Sequence, residues 1–155
     1  MSQENVQVVR CFNAAHEGEN VIPVIEAGLA RLPPDPGKEA VLAWMAEDPA
    51  WRHLHPDVEW DISALEVAPA RGAVEVAMWW ARWVEVWKSY SYRILDYRDL
   101  GAWVMTPVEI RLRGHAGTAV DLNMFEIWQV RDGKITRVRI LPSERQAIAA
   151  ATVEE

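Results

Sequence analysis

Disulfides are the first thing this sequence rules out. Its 155 residues hold one cysteine, Cys11, and a single thiol cannot close an internal bridge. Long apolar runs are missing too: nothing approaches the roughly 20 residues that a membrane helix needs. There is no glycine-rich phosphate loop, so no nucleotide is implied and no cofactor is expected. Basic charge is scarce. Lys and Arg number 16 against 23 Asp and Glu, a net charge of −7. So acidic a chain is a poor nucleic-acid binder unless a basic patch is segregated. Arg111, Arg113, Arg137 and Arg139 instead alternate with other residues, as on one face of a sheet. Neither nucleic acid nor a membrane is an expected partner. The opening Met-Ser-Gln-Glu-Asn lacks the basic start and apolar core of a signal peptide, so the expected location is cytoplasmic.

Tryptophan is what the chain has in excess, nine residues against two phenylalanines. Large rings fill cores, and they also line pockets for flat apolar ligands. Half of the residues are hydrophobic, enough for one domain with a real core. Helical spacing of Val6, Val9, Phe12 and Ala15 predicts a helix over Gln3 to Glu17, with Gly18 at its C-cap. A second helix runs from Val21 to Leu32. Asp35 caps a third, with Pro36 at its first position, reaching about Ala46. Pro49 to Pro56 reads as a loop and Val58 to Ile62 as a strand. Leu65 to Ala70 reads as a short strand. A long helix follows, Val74 to Lys88, with Trp79, Trp83 and Trp87 on one face. Four antiparallel strands come next, Tyr90 to Tyr97, Trp103 to Arg113, Ala119 to Arg131 and Lys134 to Leu141. Ser143 caps a last helix to about Ala151. Helices first and a strand meander after them argue an α+β fold.

One carboxylate stands out. On the strand Ala119 to Arg131, Leu122, Met124, Glu126, Trp128 and Val130 share one side. A two-residue turn at Asp132-Gly133 sets Glu126 opposite Arg139. A three-residue turn with a bulge at Gly133 sets it opposite Val138. The second is favoured because it keeps Val138 and Ile140 with Met124 and Trp128, and the arginines on the other face. Glu126 then sits among apolar groups, where burial raises a carboxyl pKa and lets it donate a proton near neutrality. The competing reading is a structural Glu, bonded across the sheet. Asp61 either projects into the interior beside Trp60 or faces solvent, since one residue of register decides it. His53, His55 and Asp57 alternate as strand ligands would, but beside Pro56 in a loop, and no metal is expected. His16 reads as a helix-terminus partner and Cys11 as buried filler. Tyr90 and Tyr92 carry hydroxyls within reach of a ligand.

Several stretches together resemble the SnoaL-like branch of the nuclear transport factor 2-like superfamily. They are Val8 to Ala15, Pro56 to Trp60, Gly72 through Trp83 to Trp87, Ile127-Trp128, and Asp132 to Arg139. The resemblance implies a single domain over 1–155: a cone-shaped, curved, mostly antiparallel sheet wrapped around helices (a cystatin-like α+β barrel). The chain departs from that pattern at about 33–54, where an extra helix intervenes as a lid or as a surface decoration. The family includes ketosteroid isomerases, polyketide cyclases, epoxide hydrolases and dehydratases. The isomerase tyrosine falls at Phe12, which has no hydroxyl. Its base falls at Asp61 or Ile62, and its second acid at Glu126. The last strand holds no carboxylate, which argues against the epoxide hydrolases.

The expectation is therefore a pocket lined by Phe12, Trp60, Trp79, Trp80, Trp83, Met124, Trp128 and Val138. It would bind a small apolar or aromatic molecule. Two functions are open. One is a cofactor-independent acid–base enzyme of isomerase, cyclase or dehydratase type on a small apolar or polycyclic carbonyl compound, with Glu126 as acid and Asp61 as base. The other is a non-catalytic ligand-binding or dimeric assembly module. A homodimer is expected, paired through the outer sheet face.

Overall fold

The computed structural model describes residues 2–153. Five helices and seven strands follow one another: α1 (Ser2–Asn13), α2 (Ile22–Leu29), α3 (Lys38–Glu47), β1 (Leu54–Asp61), β2 (Ala70–Arg71), α4 (Ala73–Val86), β3 (Trp87–Ile94), β4 (Arg98–Asp99), β5 (Trp103–Gly114), β6 (Ala119–Arg131), β7 (Lys134–Leu141) and α5 (Glu144–Val153). The strands form one curved, unclosed sheet in the order β2-β1-β7-β6-β5-β3, with β4 paired to β5. Only β1 and β7 run parallel. The α+β architecture is the one the sequence implies.

Helix α4 buries Ala73, Val76, Ala77, Trp79 and Val84, a 3.6-residue spacing. Gly72 starts it at φ 86°, a conformation costly for a residue with a Cβ. The helix stops at Val86 rather than Lys88, because Trp87 is already extended and pairs with Gly114. The ring of Trp87 still meets Trp83 at 5.8 Å.

Other boundaries also differ from expectation. Asp35 does not cap α3; it has φ 46°, and Gly37 takes the N-cap position. Trp51–His53 form a 3-10 turn, so β1 begins at Leu54 and runs through Pro56. Ser63–Leu65 is a second 3-10 turn, which leaves β2 only two residues. Helix α1 ends at Asn13, and Gly18 exchanges backbone hydrogen bonds with Tyr92 at 2.9 and 3.0 Å. Cys11 is half-buried rather than core filler. Ser143 does cap α5, accepting from Gln146 N at 3.2 Å.

The β6–β7 hairpin gives the favoured faces, but its turn is the two-residue form and not the favoured three-residue turn with a bulge at Gly133. Asp132 and Gly133 both have positive φ, 51° and 75°, as a two-residue type I′ turn requires. Arg131 and Val130 pair with Lys134 and Ile135, but Gln129 pairs with Arg137. Thr136 is the extra residue of a bulge, its hydroxyl donating to Gln129 Oε1 at 3.1 Å. Glu126 therefore lies opposite Ile140, not Val138 or Arg139. The shift from Val138 is two residues, which preserves facing.

The main core fills the concave side, including Val9, Phe12, Trp60, Val76, Met124, Trp128 and Val138. Helix α3 belongs to it through Val41, Trp44 and Met45. A second cluster, Trp103, Met105, Ile127, Ala147 and Ala151, lies on the outer face, where α5 covers part of the sheet. The rest of that face carries ion pairs, among them Arg113–Asp121 at 2.8 Å and Arg137–Glu59 at 3.2 Å. Among the described residues, no helix is long and apolar enough to cross a membrane.

Candidate functional site

Glu126 sits at the middle of β6, directly opposite Thr106 on β5. Alternation turns both inward. Tyr92 comes from β3, one strand further along the sheet, and its ring spans the gap to donate from its hydroxyl to Glu126 Oε1. The hydroxyl of Thr106 lies 3.4 Å from the same oxygen. Thr106 in turn accepts from Trp128 Nε1 at 2.9 Å. Glu126 is 7 % exposed. Burial raises its pKa to about 7, although the Tyr92 and Thr106 bonds pull the other way. No cation among the described residues is paired with it. The hydroxyls of Tyr90 and Tyr92 are pushed well up, first by burial and then by the charge of Glu126.

Glu126 borders a cavity whose other walls are Phe12, Asn13, His16, Ile25, Trp60, Trp80, Tyr90, Tyr92 and Trp128. The rings meet at angles. Phe12 lies 5.6 Å from Trp128 and 6.1 Å from Trp60, and Trp60 lies 5.6 Å from Trp80. They leave about 20 Å³ of open space, room for one water-sized group. A second void of about 10 Å³ follows, against Phe12, His16, Ile25, Trp51 and Trp80. A surface groove of about 260 Å³ continues outward between α2 and α3. His16 and Ile25 border all three spaces. His16 has its pKa lowered by burial, against an opposing pull from the charge of Asp48.

Of the residues the sequence nominates, Phe12, Trp60, Trp80, Glu126 and Trp128 come together here. Trp79, Trp83, Met124 and Val138 do not border the cavity. Met124 and Val138 are core, and Trp79 and Trp83 stack on each other at 5.0 Å along α4. Asp61 is on the far side of β1. Trp60 takes the inward position, so Asp61 turns outward, 3.6 Å from Arg139 Nε and accepting from Ser63 N at 3.0 Å. Those hydrogen bonds and the nearby arginines outweigh its partial burial and lower its pKa. Asp61 and Glu126 therefore do not converge. His55 Nδ1 accepts from Asp57 N at 3.0 Å, a local contact within β1. Asn13 went unnoticed in the sequence, and His16 read as a helix-end partner. Asn13 is the last residue of α1, and His16 lies in the turn that follows it. The hydroxyl of Tyr92 was visible as a candidate, but its partner was not.

Solved structures share this fold. An NTF2-like protein from Burkholderia xenovorans LB400 is 21% identical, with 98% of each chain covered and a TM-score of 0.60. A candidate SnoaL-like polyketide cyclase from Jannaschia sp. CCS1 is 13% identical over 99% of this chain and 94% of its own, with a TM-score of 0.58. TerC, crystallised with polyporic acid, is 20% identical over 84% of this chain and 97% of its own, with a TM-score of 0.53. These likenesses establish the fold. No curated protein matches the chain. The sequence model of the SnoaL-like domain matches residues 39–138, from α3 through Val138 on β7, and the chain belongs to the SnoaL-like domain family.

Proposed function

We propose that this protein binds a small, flat, largely apolar molecule against the Trp60–Trp80–Trp128 rings, with Glu126 in its acid form as the proton or hydrogen-bond donor. The observation that carries the reading is a buried carboxyl with no cation and a pKa near 7 on the wall of an aromatic cavity. A group poised near neutrality is suited to acid–base work. TerC, of the same fold, was crystallised with polyporic acid, and the Jannaschia protein carries a polyketide-cyclase name. Both are consistent with an organic ligand here, as fold-level support only. The space beside Glu126 is far smaller than a typical ligand pocket. Binding therefore requires His16 and Ile25 to swing aside toward the groove. The same narrowness favours a second reading, a non-catalytic module in which Glu126 and Tyr92 only hold β6 to β3.

The two readings separate on pH. A ligand oxygen bonded by protonated Glu126 loses affinity as pH rises through about 7. The probe is 1-indanone, followed by tryptophan fluorescence between pH 5.5 and 8.5. The wild type should weaken about tenfold over that range, and Glu126→Gln, an untitrating donor, should give a flat profile. A wild-type affinity indifferent to pH would leave Glu126 a structural residue.

A further inference from the structure

The cavity holds two hydrogen-bond donors that the protein itself leaves unmatched. Asn13 is 2 % exposed and lines the cavity, and its Nδ2 has no acceptor among the described residues. Trp80 lines the same space, and its Nε1 is equally buried and unmatched. Such donors are rare in folded chains, because each forfeits its bond to water. The indoles of Trp83, Trp87 and Trp103 lack acceptors too, but none borders the cavity. Asn13 is the more telling group. An apolar side chain at the end of α1 would fill that position without any such loss. The hydroxyl of Tyr92 is already committed to Glu126, and Thr106 already accepts from Trp128. The neighbouring hydroxyls thus leave the Asn13 donor for something that occupies the open space.

We propose that Asn13 Nδ2 and Trp80 Nε1 donate hydrogen bonds to an oxygen of the ligand beside Glu126, so that the ligand is a flat apolar molecule bearing a carbonyl or phenolic oxygen and not a plain hydrocarbon. The inference rests on the ligand-binding reading above and adds the two side chains that hold the ligand's oxygen. Neither donor titrates near neutrality, so both hold an acceptor at any working pH. Glu126 adds a third donor only in its acid form. The open space, about 20 Å³, matches one oxygen-sized group, with the rest of the ligand reaching along the path past His16 and Ile25.

The test compares 1-indanone with indane, the same skeleton without oxygen, by NMR titration of the full chain at pH 6. The ketone should bind about tenfold more tightly, as expected of one or two net neutral hydrogen bonds. It alone should shift the Asn13 side-chain amide and Trp80 indole resonances. Asn13→Leu and Trp80→Phe should each lower the ketone-to-hydrocarbon ratio severalfold, and the preference that remains should be what Glu126 in its acid form contributes. Unmoved resonances, or a ratio unchanged in Asn13→Leu, overturn the inference and leave the ligand site and its Glu126 donor standing, whereas equal wild-type affinities overturn the inference together with the Glu126 donor. Binding of neither compound removes the inference and the ligand site. The wild-type resonances decide the matter even if Asn13→Leu fails to fold.

Discussion

Glu126 is a carboxyl that the fold takes out of water without supplying a cation. Its pKa of about 7 in the folded chain lies above the ordinary 4.5, so between those values the native state keeps a proton that the unfolded state releases. The contribution of Glu126 to stability is therefore fully present below about 4.5 and is lost as pH climbs through about 7. The size of the fall is on the order of 3 kcal/mol. His16 works in the opposite sense, since its lowered pKa costs stability as pH drops below about 6.5. Comparing urea unfolding of the wild type and Glu126→Gln from pH 4.5 to 8 isolates the first effect. The difference between the two proteins should change by on the order of 3 kcal/mol in favour of the variant as pH rises. A constant difference would mean that Glu126 stays ionised throughout. At this scale the sequence revealed a good deal. Strand alternation alone put Glu126 beside Met124 and Trp128. It could not reveal Tyr92 as the partner, because that contact crosses an intervening strand.

At the scale of elements, the first strand decides what Asp61 can do. Val58 and Trp60 take the buried positions of β1, which turns Glu59 and Asp61 toward Arg137 and Arg139 on β7. The parallel β1–β7 pairing that sets these ladders is non-local, and no short-range pattern encodes it. Asp61→Asn should change unfolding free energy by less than about 1 kcal/mol, as is usual for partly exposed pairs. It should also leave 1-indanone affinity untouched. A tenfold loss of binding in that variant would return Asp61 to the cavity. The hairpin makes a related point. The place of the turn at Asp132-Gly133 was legible, but the favoured three-residue form was wrong, and the bulge at Thr136 was hidden because no residue there demands a special backbone conformation.

The molecule as a whole folds around one main core in which helix α3 takes part. Trp44 packs against Trp51 at 4.8 Å and donates from Nε1 to Gly28 O at 3.0 Å, which ties α3 to α2. Asp48 accepts from the backbone N of Ala50 and of Trp51, both at 2.9 Å, and pairs with Arg31. These contacts anchor the C-terminal half of α3 and the turn after it. Trp44→Ala should cost about 3–5 kcal/mol, measured by denaturant unfolding. Circular dichroism and fluorescence transitions should coincide if α3 unfolds with the rest. A cost below about 1 kcal/mol would make the stretch peripheral. Its apolar residues were legible in the sequence; that they face α4 was not, since helical spacing gives a face but not its partner.

Composition, strand periodicity and turn residues by themselves determined the α+β class, the four-strand meander and the inward facing of Glu126, because these depend on neighbours within a few residues. Tertiary structure alone decided that Asp61 and Glu126 lie on opposite faces of the sheet, that α5 covers part of its outer side, and that Tyr92, Asn13 and His16 meet at one cavity. Those contacts join residues far apart in the chain, and their geometry follows from how the sheet curves and where α1 ends.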